Sequence, residues 1–150
     1  MPRGGRGLPA GCVQVLREAD VVVHTGDVTT APVLDELALL AGVEEVPAVL
    51  GNMDALELRG LLPRRRVVEA EGLRIGLVHD AGPSAGRHER LAVWFPGCDV
   101  IAYGHTHAPE VARHGDVWIV NPGSPTERRR APAHTLAVVS EGVPALVRLD

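Results

Sequence analysis

Hydrophobic residues fall into short runs along the chain, and each run closes on a turn or a polar cluster. Val21-Val22-Val23 stops at Gly26-Asp27, and Ala48-Val49-Leu50 stops at Gly51-Asn52. Short apolar runs bounded by turn residues predict buried strands. Residues 99–103 form a third such run, ending at Gly104-His105. Residues 67–70 and 73–79 predict two strands around the turn Glu71-Gly72. Leu34, Leu37 and Leu40 recur at helical spacing after Pro32, which suits a first helical turn, so 32–41 predicts a helix. Helices are also predicted over 12–19 and 86–95. Later the rhythm changes. Residues 109–113 with 117–120, and 135–139 with 144–149, predict two hairpins. Residues 1–11 hold four Gly and two Pro without periodicity and predict a loop.

Strand and helix thus alternate first, and strands succeed one another afterwards. This predicts an α/β fold with a βαβ core and added antiparallel strands. No repeat or linker interrupts the pattern, so residues 1–150 are expected to form a single domain. At 150 residues and 45% hydrophobic content the chain can bury a sizeable core without disulfides. Cys12 and Cys98 make no disulfide framework and are expected as buried thiols, which fits a reducing cytoplasm. No apolar stretch reaches the roughly 20 residues of a membrane span. The basic opening residues precede no long apolar region, so no secretory leader is expected. A net charge of −4 argues against a general nucleic-acid surface. The basic residues are all arginine, which removes lysine-based covalent chemistry.

Candidate chemistry is concentrated just beyond the end of each strand. Run 21–23 delivers His24 and Asp27, and run 48–50 delivers Asn52 and Asp54. Run 73–78 delivers His79 and Asp80, and run 99–103 delivers His105 and His107. The carboxyl ends of strands in an open α/β sheet form the ligand crevice. Each residue alone has a plainer reading. Gly-Asp after a strand is usually a turn, and a strand-end His usually a hydrogen-bonded packing residue. The ordered combination is more informative. Asp27 is a hard oxygen donor able to bridge two cations, Asn52 offers an amide oxygen, and His79, His105 and His107 offer imidazole nitrogen. Such mixed sets suit Mn, Fe, Zn, Co or Ni above Ca or Mg. His24, Asp54 and Asp80 are candidates for orienting a ligand or meeting substrate, although packing suits His24 and a turn suits Asp80 as well. Arg64-Arg65-Arg66 and Arg128-Arg129-Arg130 are read mainly as solvated surface, with phosphate binding as the sharper alternative.

Gly26-Asp27, Gly51-Asn52, His79, Gly104-His105-Thr106-His107 and Asn121-Pro122-Gly123-Ser124-Pro125 together resemble the calcineurin-like metallophosphoesterases. Within them the chain is similar to the small prokaryotic phosphodiesterase branch related to the retromer subunit Vps29. The resemblance spans residues 12–150. It implies an α/β/β/α sandwich of two mixed sheets flanked by helices. It implies two divalent metal ions, manganese first among them with Ni, Zn, Fe or Co as alternatives. Asp27 would bridge the two, Asn52, His79 and His105 would complete one site, and His107 would serve the other. A metal-bridging hydroxide would attack a small phosphodiester substrate. The alternative implied by the same branch is a non-catalytic protein-interaction scaffold. A homodimer is compatible with either.

The chain departs from that pattern twice. The family opens with a strand ending in Asp-x-His, which supplies the site of His107, and no such strand or pair is present in this sequence. The expectation is a start codon placed too late or a shortened chain, lacking about ten residues by the length of one strand and turn. Met53 also stands where many members carry a proton-donating His, which suggests a preference for good leaving groups.

Overall fold

The computed structural model describes residues 7–150. Helix α1 spans Ala10–Glu18, α2 Ala31–Ala41, α3 Leu56–Arg59 and α4 Arg87–Trp94. The strands are β1 Arg65–Ala70, β2 Leu73–Val78, β3 Val100–Tyr103, β4 Glu110–His114, β5 Val117–Asn121, β6 Thr135–Ser140 and β7 Val143–Arg148. The expected loop over 1–11 lies partly outside the described residues, and α1 already includes Ala10 and Gly11. Among the described residues, no helix is long and apolar enough to cross a membrane.

Five strands form a mixed sheet in the order β1-β2-β3-β5-β4, and β6 and β7 form a small antiparallel sheet. The hairpins β1/β2 and β6/β7 each turn on Glu-Gly. Glu71 and Gly72 have φ of 52° and 76°, and Glu141 and Gly142 have 51° and 77°. Two positive φ values in a two-residue loop are what a turn matched to strand twist requires. Strands β2, β3 and β5 run parallel. Their carboxyl ends therefore share one edge of the sheet. Strand β3 lies between parallel neighbours, and all four of its residues are buried.

The layers result from which faces are apolar. Leu91 and Phe95 of the α4 region pack with Val78, Ile101, Tyr103 and Ile119 on one sheet face. Val49 packs with Leu77 and Ala102 on the other face, with Val23 and Ile75 beside them. Beyond that, α1 and α2 contribute Cys12, Leu16, Val33 and Leu37 to a cluster that Leu136 and Leu149 join. The order helix, sheet, second β layer, helices is the α/β/β/α arrangement. Helix α2 ends at Gly42, whose φ of 69° opens the left-handed cap. Cys12 and Cys98 are buried free thiols.

Two expected strands are corrected. Segments 21–23 and 48–50 run extended but form no strand, and they meet only in a parallel bridge between His24 and Ala48. The His24 amide donates to Pro47 O at 2.9 Å, and the Val49 amide donates to His24 O at 3.3 Å. The next parallel rung would need an amide proton from Pro47, which proline lacks. The other side of 21–24 has no strand beside it among the described residues. It borders a cavity of about 590 Å³. Consecutive residues line that cavity, Val21 through His24 on one side and Thr135 through Ser140 on the other. A strand facing a cavity with its side chains would present alternate residues. Consecutive lining means that both segments turn their backbone edges to the space. Ile75, Val100, Ala102 and Val120 form its apolar floor, and Cys12 and Leu16 cover it. The space is a slot as deep as one strand, between two open edges.

Candidate metal centre

Gly26 comes after the extended segment 21–24 with φ of 103°, and Asp27 is next with φ of 57°. A Cβ on Gly26 would lie 2.6 Å from Nδ1 of His79, so only glycine lets the turn close against that ring. A Cβ on Gly51 would collide with the amide nitrogen and Oδ1 of Asp27. Asp54 stitches the two loops together. It is 6% exposed, accepts the Gly51 amide at 2.7 Å and accepts the Thr29 amide at 2.8 Å. Its carboxylate is committed to the backbone, the orienting alternative among the two readings of Asp54. The Met53 amide donates to Asp27 Oδ1 at 2.8 Å.

His79 continues from β2 and is 5% exposed. Its Nδ1 lies 2.8 Å from the carbonyl oxygen of Thr25. A carbonyl only accepts, so Nδ1 carries the proton and Nε2 is left as a lone pair. That lone pair sits 2.9 Å from Asn52 Oδ1 and 3.4 Å from Asp27 Oδ2. His105 lies just past β3 with φ of 69°. Its Nδ1 is 3.2 Å from Asn52 Oδ1 and 3.3 Å from His79 Nε2. The two rings meet edge to face, with centroids 5.2 Å apart. The structure therefore brings Asp27, Asn52, His79 and His105 together.

His107 stands to one side. Its Nδ1 donates to the carbonyl of Glu127, so its Nε2 is likewise a lone pair. Burial pushes the His107 pKa down, against the pull of the Glu127 carbonyl, and the charge of Arg129 adds to the lowering. His24 accepts the Gly26 amide on Nδ1 at 3.1 Å and shapes the turn from behind. Burial is the main cause of its pKa being lowered to about 4, with Asp54 and Asp27 opposing it. Asp80 is exposed and accepts the Gly82 amide at 2.8 Å, an Asx turn outside the cluster.

Asp27 Oδ2, Asn52 Oδ1, His79 Nε2 and, with its proton on Nε2, His105 Nδ1 are atoms of types that can each ligate a cation. Their separations of 2.9–3.4 Å also suit a shared ion, because ligands about 2.1 Å from a tetrahedral centre lie about 3.4 Å apart. Counting His, Cys, Asp and Glu alone, no three of the described residues close on a metal position. Asn52 Oδ1 adds an oxygen donor between His79 and His105.

Three further residues support the site, Thr25 without a sequence signal and Asn121 and Ser124 from the motif that also carries the family resemblance. Thr25 fixes the His79 tautomer through its carbonyl. Asn121 ends β5 fully buried, and its Nδ2 donates to Gly104 O at 3.3 Å and Thr106 Oγ1 at 3.0 Å. Its signal is the same polar strand end that marks His79. Ser124 accepts the amides of Thr126 and Glu127 and shapes the loop over His107.

Comparison with known proteins gives the family. The Calcineurin-like phosphoesterase superfamily domain matches residues 6–142, and the chain belongs to that superfamily. A probable metallophosphoesterase of Methanocaldococcus jannaschii is 38% identical over 125 residues, covering 81% of this chain and 62% of that protein. The chain thus spans somewhat under two thirds of this relative's length. Vacuolar Protein Sorting 29 from Cryptosporidium parvum superposes with a TM-score of 0.72 at 22% identity, covering 98% of this chain and 90% of that one. A structure described as a novel archaeal phosphodiesterase superposes with a TM-score of 0.65 at 19% identity, covering 91% and 88%. These two likenesses establish the fold.

The loop geometry generates two expected outcomes. Gly51→Ala should displace Asp27 and weaken manganese binding about 10–100-fold, the cost of disturbing support around a metal ligand. Calorimetric titration of the folded variant checks this, and unchanged affinity would refute it. His24 should make the metal-free protein acid-sensitive. Its folded pKa of about 4 lies below the usual 6.5, so the unfolded chain binds the extra proton between those values. Stability should therefore fall as pH drops from 6.5 toward 4 and hold steady above. His24→Gln should flatten that slope in urea melts.

Proposed function

We propose that this chain is a metal-dependent phosphodiesterase acting on small phosphate diesters. The observation that supports it best is the convergence of four acceptors on one point. Asp27, Asn52, His79 and His105 would hold one divalent ion, and His107 with Asp27 would serve a second. Manganese is the first choice, with Ni, Zn, Fe or Co accepted by the same mixed donors. Bound cations supply Lewis acidity toward a phosphoryl oxygen and lower the pKa of water. The chain's own residues supply placement. Thr25 and Glu127 hold the imidazoles in the ligating tautomer, and Asp54 holds the Asp27 and Asn52 loops in register. A protein-interaction scaffold has no need of four opposed lone pairs. Two free buried thiols fit a reducing, cytoplasmic setting.

Leaving-group protonation is the weak point. Met53 carries no ionisable proton, and both Asp54 oxygens accept amides. Diesters with acidic leaving groups are the better substrates on this reading. Asp27→Ala or His79→Ala should abolish manganese-dependent cleavage of bis(p-nitrophenyl) phosphate. Retained turnover in either folded variant would refute the assignment.

The slot between 21–24 and β6 supports a further part of this reading. We propose that a strand ending in Asp-x-His, as the family resemblance implies, belongs in it. It would pair with both open edges and bury apolar side chains against Ile75, Val100 and Ala102. Fusing such a strand ahead of residue 1 should raise both melting temperature and turnover. No change in either would refute this placement.

A further inference from the structure

The loop after β5 folds back over the candidate metal centre, and several bonds fix its path. Thr135 Oγ1 donates to Pro122 O at 2.7 Å, and the Thr135 amide donates to Ser124 O at 3.1 Å. Ser124 Oγ receives the Glu127 amide at 3.0 Å, and Glu127 O in turn receives His107 Nδ1–H. The loop then carries three arginines with different fates. Arg128 turns away and donates to Ala131 O at 2.8 Å. Arg130 is exposed at the far side of the turn. Arg129 takes a left-handed backbone, with φ of 49°, and its Nη1 donates to His105 O at 2.9 Å. The φ value matters, since an L-residue accepts that conformation only where other bonds hold it.

Arg129 is thus a guanidinium delivered to the rim of the cluster with one of its five N–H donors used. Apart from the His105 Nε2–H, the cluster side chains present acceptors, which do not grip the outer oxygens of a bound phosphate. A fork of guanidinium N–H groups can, because its geometry matches two phosphate oxygens. No carboxylate among the described residues pairs with Arg129, and its positive charge remains available.

We infer that Arg129 is the phosphate-binding residue of this site, gripping non-bridging oxygens of an anionic phosphoester whose reacting end faces the residues that would hold a metal ion. The inference rests on the phosphoesterase reading given above. The charge-assisted bond strengthens both substrate and product binding, so its loss shows in KM and in phosphate affinity before kcat.

The test uses the manganese-loaded full chain at fixed ionic strength, comparing the parent with Arg129→Gln, Arg129→Lys and Arg130→Gln. Inorganic phosphate affinity and manganese affinity are measured by calorimetry, and KM and kcat with bis(p-nitrophenyl) phosphate. Arg129→Gln should weaken phosphate binding and raise KM about tenfold or more, the scale of a lost hydrogen bond to a charged group. Its manganese affinity should be unchanged. Arg129→Lys should recover part of the loss, and Arg130→Gln should match the parent. Parent-like phosphate affinity and KM in Arg129→Gln would overturn the inference. An equal loss of manganese affinity would also overturn it, by showing that Arg129 only positions His105. A parent chain that neither binds phosphate nor cleaves the diester with manganese present would defeat the phosphoesterase reading itself, a result separable from the other two.

Discussion

Asp27, Asn52, His79 and His105 bring polar atoms within 2.9–3.4 Å of one another along the chain Asp27–His79–Asn52–His105, and much of the surrounding structure holds them there. Backbone geometry does much of the holding. Asp27, Thr29, His105 and His107 all take positive φ, at 57°, 75°, 69° and 58°. Each such residue costs about 1–3 kcal/mol and persists only under constraint. The constraints are visible. Asp54 clamps Thr29 and Gly51, Thr25 clamps His79, and Glu127 clamps His107. Strain gathered in the loops that carry metal-ligating side chains marks a site organised before any ion arrives.

The frame that bears this strain is the parallel trio β2, β3 and β5. Their common direction puts His79, the Gly104–His107 loop and Asn121 on one edge. Asn121 then ties the second and third of these by bonding Gly104 and Thr106. The remaining two ligands, Asp27 and Asn52, come from a less secure part of the molecule. Segments 21–24 and 48–50 share one bridge, and one of them borders the open slot. Half of the cluster is therefore rigidly mounted and half depends on loop stitching. This is why Asp54, buried and doubly bonded, matters more to the site than its silence in the chemistry suggests.

Much of this is legible in the sequence because the signal is positional. Polar residues at the ends of apolar runs mark Asp27, Asn52, His79 and His105, and the structure brings these four side chains into contact. The alternation of strand and helix also points to a βαβ core with added antiparallel strands, and the layer order is what the family resemblance implies. The features that sequence does not reveal have physical causes. Pro47 removes one amide from a ladder, so two apolar runs with strand-like composition stay extended without pairing. Asp54 and Asp80 look like free carboxylates, but their partners are backbone amides that no residue pattern reveals. Asn121 carries the same strand-end signal as the histidines, but an amide ahead of Pro-Gly suggests a turn. Arg129 sits within a charge run, and only the left-handed turn separates it from Arg128 and Arg130. His88 meets Glu110 at 2.9 Å, a pairing set by how α4 crosses β4.

The proton inventory of the site sets a limit on its chemistry. The protons on His79 and His107 are directed at backbone carbonyls and hold the rings in place. Moving either proton would release the ring that the metal position depends on. Met53 contributes only an amide, and that amide bonds Asp27. Asp54 serves two amides and is walled off from the cluster. Ring orientation thus uses the protons of His79 and His107, and leaves the neutral His105 Nε2–H, a weak acid, as the remaining imidazole proton. A site built this way stabilises charge more readily than it transfers protons, so its barrier should track the basicity of the departing oxygen. Substrates whose leaving oxygen is a weak base suit the geometry, and an alkoxide must take its proton from water. Selectivity among phosphoesters then arises less from a pocket that recognises the organic groups than from which P–O bond can break without an acid.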